Sequence, residues 1–201
     1  MDTYDIYELM MIPPNKKTEM IISELEKPEP NMDLLNDLIV LGAELGWLNE
    51  FGETVLHECA DYDHPEFLRM LIDAGVDLNV KDKYGRSALH FCVMYNNQEI
   101  ARMLIEAGAN VNAKDKDEWS LLHYCARYNS EIVIFLIEAG ADVNIQRNDG
   151  WTALHMCAFS DELELAKMLI DAGADKTIQD YYGNIPYELA QTKELLKLLK
   201  V

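Results

Sequence analysis

Four stretches of the chain say nearly the same thing: Thr54-Val-Leu-His57-Glu-Cys59-Ala60, Ser87-Ala-Leu-His90-Phe-Cys92-Val93, Ser120-Leu-Leu-His123-Tyr-Cys125-Ala126 and Thr152-Ala-Leu-His155-Met-Cys157-Ala158. Each is followed by a second phrase: Leu71-Ile-Asp-Ala-Gly75, Leu104-Ile-Glu-Ala-Gly108, Leu136-Ile-Glu-Ala-Gly140 and Leu169-Ile-Asp-Ala-Gly173. The histidines recur at intervals of 33, 33 and 32 residues. A fixed period of that length marks stacked units, each too small to bury its apolar face alone. The missing residue lies between His123 and Gly140, where Tyr128-Asn129-Ser130 replaces Tyr95-Asn96-Asn97-Gln98. A deletion is tolerated best at a turn between two helices.

Local chemistry predicts two helices per unit. Thr54, Ser87, Ser120 and Thr152 are hydroxyl N-caps just ahead of apolar helices. Pro65 suits the first turn of a second helix, where a missing N–H costs nothing. Ile100, Met103 and Leu104 repeat at i, i+3, i+4, one buried helical face. Gly75, Gly108, Gly140 and Gly173 stand where a helix ends in the left-handed region. The matching Met70, Met103, Phe135 and Met168 read as core packing.

Taken together, the two phrases closely resemble those of the ankyrin-repeat family, strongly over residues 31–201 and in all over 18–201. The resemblance implies an all-α solenoid of stacked helix-turn-helix units joined by β-hairpin-like loops. The four full units depart from the family phrase at two positions: Val55, Ala88, Leu121 and Ala153 replace its proline, and Cys59, Cys92, Cys125 and Cys157 its alanine. Boundaries follow from the period: an N-terminal extension at 1–17, a degenerate capping unit at 18–51, repeats at 52–84, 85–117, 118–149 and 150–182, and a C-terminal cap at 183–201. In the first unit a helix is expected from Thr18 to Glu26, and Asn31 caps a second through Asp33 to Leu41. Glu24 stands at the histidine position there, and Glu188 does so in the last unit. Residues 1–14 fit either a short helix or an extended arm.

The formal net charge of −19 argues against a nucleic-acid or anionic-membrane surface, since both reward clustered Lys and Arg. It favours a cationic partner. Residues 1–66 hold 16 acids and 3 bases, which makes the N-terminal third the acidic pole. Neither a signal peptide nor an apolar run long enough to span a membrane is apparent. With its unpaired cysteine pattern, the chain reads as cytoplasmic, and as a monomer without its partner.

The His-x-Cys ladder looks chemical but reads as structural. Zinc ligands must gather within ~2.0–2.3 Å of one ion, whereas equivalent residues of neighbouring units stand ~8–10 Å apart. Within a pair, i and i+2 point to different sides of a helix. Disulfides fail on the same spacing. A catalytic Cys–His pair needs a singular environment, not four copies of one. The resemblance implies instead that the histidines hydrogen-bond within and between hairpins, with the cysteines as small buried hydrophobes. His64, outside the ladder, is expected to be solvated. Asp115, Asp117 and Glu118 lack the spacing of a calcium loop. No phosphate-binding or dinucleotide motif appears, so neither catalytic residue nor metal nor cofactor is expected.

The resemblance also implies a concave groove lined by the hairpin tips and the exposed face of each first helix. Carried onto this chain, it gives Glu53, Arg86, Trp119, Trp151 and Asn184 after the hairpin glycine, with Glu118 replacing that glycine in one unit. It gives Glu58, Phe91, Tyr124 and Met156 after the histidine, and Asp61, Tyr62, Met94, Tyr95, Arg127, Tyr128, Phe159 and Ser160 one turn on. Tyr84 joins them as part of an aromatic stretch reaching Phe159. Aromatic, Met and Arg side chains of this kind dominate interface energies. Two functions fit: an interaction module for a protein partner with a basic, partly apolar surface, or a dedicated inhibitor or immunity protein occluding a basic toxin or nucleic-acid-acting enzyme.

Overall fold

Each repeated phrase becomes a helix that starts just after its first residue, and in two of them that residue's hydroxyl caps the helix. In a computed structural model of the chain, describing residues 5–128 and 130–201, Thr54 precedes α4 (Val55–Tyr62) and accepts the Leu56 N–H at 3.2 Å. Thr152 likewise precedes α10 (Ala153–Ser160). The histidine three residues on completes the cap. Nδ1 of His57, His90, His123 and His155 accepts the N–H of Thr54, Ser87, Ser120 and Thr152, each at 3.1 Å. An accepting Nδ1 leaves the proton on Nε2. That nitrogen donates to the next hairpin: His57 to the Arg86 carbonyl at 3.2 Å, His123 to Trp151 at 2.9 Å, His155 to Asn184 at 3.2 Å. In the last unit Glu188 takes over the capping half of this role, accepting the Ile185 N–H at 2.8 Å.

The chain divides into two units. The N-terminal one, residues 1–92 with 99–109, holds α1 (Ile6–Met11), α2 (Pro14–Leu25), α3 (Met32–Val40), α4, α5 (Pro65–Asp73) and most of α6 (Ala88–Tyr95) and α7 (Gln98–Glu106). Within it α2 packs on α3 and α4, and α5 on α3 and α4. Ile21, Leu25, Leu35, Leu38, Phe67, Leu68 and Leu71 are wholly buried. The C-terminal unit, 93–98 with 110–201, holds the end of α6, then α8 (Leu121–Tyr128), α9 (Val133–Glu138), α10, α11 (Leu163–Asp171), α12 (Pro186–Leu189) and α13 (Lys193–Leu199). There α10 packs on α8, α11 and α12, and α13 on α11 and α12.

The connecting loops are tight hairpins. Asn49, Asp82, Asp115, Arg147 and Asp180 each donate their N–H to the carbonyl four residues on, at 2.8 to 3.0 Å. Among the described residues the only β-pairing is an isolated antiparallel bridge between Lys114 and Ser120. Gly75, Gly108, Gly140 and Gly173 end their helices at φ between 74° and 94°, as their position predicts.

Four expectations need correction. The first long helix starts at Pro14, not Thr18, because proline is tolerated at the first helical position and the next turn is anchored. Buried Lys17 donates to the Leu41 carbonyl at 2.7 Å, and the Thr18 hydroxyl to that of Glu44 at 3.0 Å. Residue 17 therefore lies inside a helix. Ahead of it, residues 6–11 form the short helix α1, capped by Asp5, which accepts the Tyr7 N–H at 2.9 Å. The rest of the expected extension, residues 1–4, and Asn129 of the shortened turn lie outside the described residues. His64 is half-buried rather than simply solvated: its Nε2 lies 2.8 Å from the Leu25 carbonyl, at the end of α2. Finally, Met70, Met103, Phe135 and Met168 are only half-buried, at the margin of the core, while the leucine after each is buried.

Candidate functional site

In the C-terminal unit the first helices and hairpins assemble a connected row of rings. Tyr124 and Tyr128, one turn apart on α8, stack with centroids 6.0 Å apart and planes 18° apart. Tyr124 meets Trp119 edge to face at 5.7 Å. The guanidinium of Arg147 lies over both indoles, 4.7 Å from Trp119 and 4.8 Å from Trp151. Trp151 in turn contacts Phe159 at 5.4 Å. Position explains the row: Trp119 and Trp151 each precede a helix cap, and Tyr124 and Phe159 lie on the helices that follow.

Polar groups fix the row. Asp149 accepts two bonds from Arg147, at 2.7 and 2.5 Å, and this pairing holds its carboxyl below the usual range. The Trp151 indole N–H donates to Asp180 at 3.1 Å, and the Tyr124 hydroxyl to Asp115 at 2.7 Å. Aromatic pairs add ~0.5–1.5 kcal/mol beyond area burial, and cation–π contacts a similar amount. The row is therefore ordered before any partner arrives, which spares ~0.5–1.5 kcal/mol of ordering entropy per side chain on binding. Beside it, Asp115, Asp117, Trp119, Tyr124, Arg127 and Tyr128 line a hollow of about 260 Å³.

The N-terminal unit uses the same chemistry differently. Arg86 lies 4.8 Å over Tyr84 and 4.7 Å over Phe91, and pairs with buried Asp82 at 2.6 Å. Asn49 donates to both Glu53, at 2.9 Å, and Glu58, at 3.2 Å. Partial burial, with Glu53 and Asp61 nearby, raises the Glu58 carboxyl above its ordinary value.

The expected contact residues fall into three groups. Tyr62, Tyr84, Tyr95, Arg127, Tyr128 and Phe159 are exposed, while Glu53, Glu58, Asp61, Met94, Trp119, Tyr124 and Trp151 are half-buried. Phe91 and Met156, expected on an exposed face, are buried, each only 6% exposed. Arg86 folds over Phe91 and His57 meets its edge at 5.3 Å. Met156 sits on a helix packed from both sides, by α8 and α12. Sequence reading missed Arg147 and Asp149. The available signal was that Arg147 stands where the other hairpins carry Asn49, Asp82, Asp115 and Asp180.

The ladder is chemically quiet. Burial pushes the Cys59 thiol up to about 12 and raises Cys92, Cys125 and Cys157 strongly. Burial also lowers His57 and His155, and takes His123 to about 4. Both shifts favour neutral groups that serve as packing and capping. Among the described residues no three His, Cys, Asp or Glu side chains gather where they could hold a metal ion, and no helix is long and apolar enough to cross a membrane.

The family model described as ankyrin repeats (3 copies) matches residues 26–115 and 111–180. No curated protein matches the chain.

Proposed function

The chain belongs to the ankyrin-repeat family, and on that footing we propose that it is a non-catalytic module that binds a protein partner through the aromatic row of its C-terminal unit. The observation that carries this reading is the row itself, running Tyr128, Tyr124, Trp119, Arg147, Trp151, Phe159. A solenoid needs its leucines to stack, but it does not need a connected row of rings, two half-buried indoles bridged by one guanidinium and two exposed rings beyond them. We assign the anchoring role to exposed Tyr128, at the end of the row, and to exposed Tyr95 of the same unit, 48% and 49% accessible. The formal charge of −19 favours a basic partner and speeds encounter with one.

The reading is tested by capture from native lysate at low and high salt, with Tyr95→Ala/Tyr128→Ala as comparison. Loss of the captured protein with an unchanged thermal transition is the expected result. Capture unaffected by the double substitution would refute it. The acidic charge favours a second reading, a dedicated inhibitor of a basic toxin or nucleic-acid-acting enzyme. A steep loss of affinity with salt supports that reading over a mainly apolar contact.

A further inference from the structure

Helix α1 turns most of its apolar side chains to water. At about 100° per residue, Ile6, Tyr7, Met10 and Met11 share an arc of about 140°, and Leu9 falls outside it. Leu9 is buried, whereas those four are between 48% and 85% exposed. Among the described residues every other helix exposes at most one large apolar side chain. The face is also held in place. Asp5 caps the helix and Leu9 anchors it. Just past its end the Pro14 carbonyl accepts the Glu44 N–H at 3.3 Å, and buried Lys17 donates to Leu41. A contiguous apolar face left in water on an anchored element marks an interaction surface.

Charge identifies what covers it. Exposed Asp5 precedes the face and exposed Glu8 borders it. The three bases among residues 1–66 are engaged elsewhere: Lys16 with Glu19, Lys17 with the Leu41 carbonyl, and Lys27 with Glu24. The same residues hold 16 acids. Two copies of this face would bring like charges together, and an anionic membrane would repel it for the same reason. We propose that the exposed face of α1 is a second docking surface, separate from the aromatic row, for a protein segment whose apolar side chains are flanked by Lys or Arg. The apolar arc supplies the contact, and the acidic surround selects the sign of its rim.

The probe is an amidated peptide of leucine and lysine with its leucines at helical spacing, titrated into the full chain labelled at its methionine methyls. Saturable shifts of the Met10 and Met11 resonances, with buried Met156 unmoved, are the expected result. Affinity is read in parallel from the anisotropy of a dye-labelled copy. Met10→Ser/Met11→Ser weakens it about tenfold or more, as loss of apolar anchors does. Helix content and the thermal transition stay unchanged, because both side chains face water. Glu8→Gln weakens binding about twofold, the scale of an exposed charge pair. Peptides with serine for leucine, or glutamate for lysine, give no shift. Absent Met10 and Met11 shifts, shifts confined to Met94 or Met156, an equal response to either control peptide, or affinity unchanged by the double substitution would overturn the proposal. So would a dimer in sedimentation that Met10→Ser/Met11→Ser dissolves, which assigns the face to a second copy. Shifts produced by phosphatidylcholine vesicles and not by the peptide assign it to a lipid surface and overturn the proposal as well. Tyr95→Ala/Tyr128→Ala leaves the peptide response unchanged, so this face and the aromatic row fail separately.

Discussion

Acid should loosen this solenoid through its histidines, and His123 sets the scale. Its ring is fully buried, with Nδ1 accepting the Ser120 N–H at 3.1 Å and Nε2 donating to the Trp151 carbonyl at 2.9 Å. Protonating Nδ1 replaces an acceptor by a second donor facing an N–H. Burial accordingly lowers this histidine from an ordinary 6.5 to about 4. Because the folded state binds the proton less readily than the unfolded one, the contribution to stability is complete above about pH 6.5. It is lost as pH falls from there toward 4. At pH 5 an unfolded imidazole is nearly all protonated and the folded one hardly at all, a loss of roughly 2 kcal/mol from His123 alone, at 1.36 kcal/mol per pH unit. His57 and His155 are shifted in the same direction for the same first cause. The assay is urea unfolding from pH 7.5 to 5, comparing the wild type with His123→Gln, so that carboxylate titration common to both cancels. The stability gap between them should shrink by about 2 kcal/mol across that range. A gap independent of pH, or an NMR titration of His123 with a midpoint near 6.5, would refute the reasoning.

Other outcomes follow from packing and backbone geometry. Leu104→Ala should cost ~2–5 kcal/mol by chemical denaturation, since the side chain is wholly buried; a neutral result would misplace its helix face. Gly150→Ala should lower the melting temperature clearly more than Gly173→Ala. Both glycines have positive φ, 86° and 94°, but an added Cβ at Gly150 meets the Tyr181 backbone nitrogen at 2.8 Å whereas Gly173 faces open space. Left-handed strain alone costs about 1 kcal/mol. The four buried thiols should resist a disulfide reagent in the native protein at neutral pH and react fully only on unfolding. Arg147→Ala should reduce the near-ultraviolet signal of Trp119 and Trp151 while leaving helix content unchanged.

The fold was legible because each unit carries its own instructions. A hydroxyl cap, a histidine three residues later and a glycine past the second helix repeat in register, and the structure uses each as local chemistry predicts. The ends were harder to read: Glu24 and Pro14 give no repeat signal, and the first turn of α2 is anchored by Lys17 and Thr18 through contacts more than twenty residues away. At the candidate site, the aromatic residues could be located by position but their depth could not. Phe91 is covered by Arg86 folding back from the hairpin, an interaction invisible to helical periodicity. The Arg147 bridge escaped notice because it breaks the Asp pattern of the hairpins, and its effect depends on two tryptophans 28 and 4 residues away in sequence.

The most direct test of the aromatic row as a binding face is hydroxyl-radical footprinting of the native protein with and without its captured partner. Protection concentrated at Tyr95, Tyr128 and Phe159, with Tyr181 and Tyr182 unchanged, is the predicted result. Protection at Tyr181, Tyr182 or the exposed side of α1, with Tyr95, Tyr128 and Phe159 still oxidised at the free rate, would contradict it.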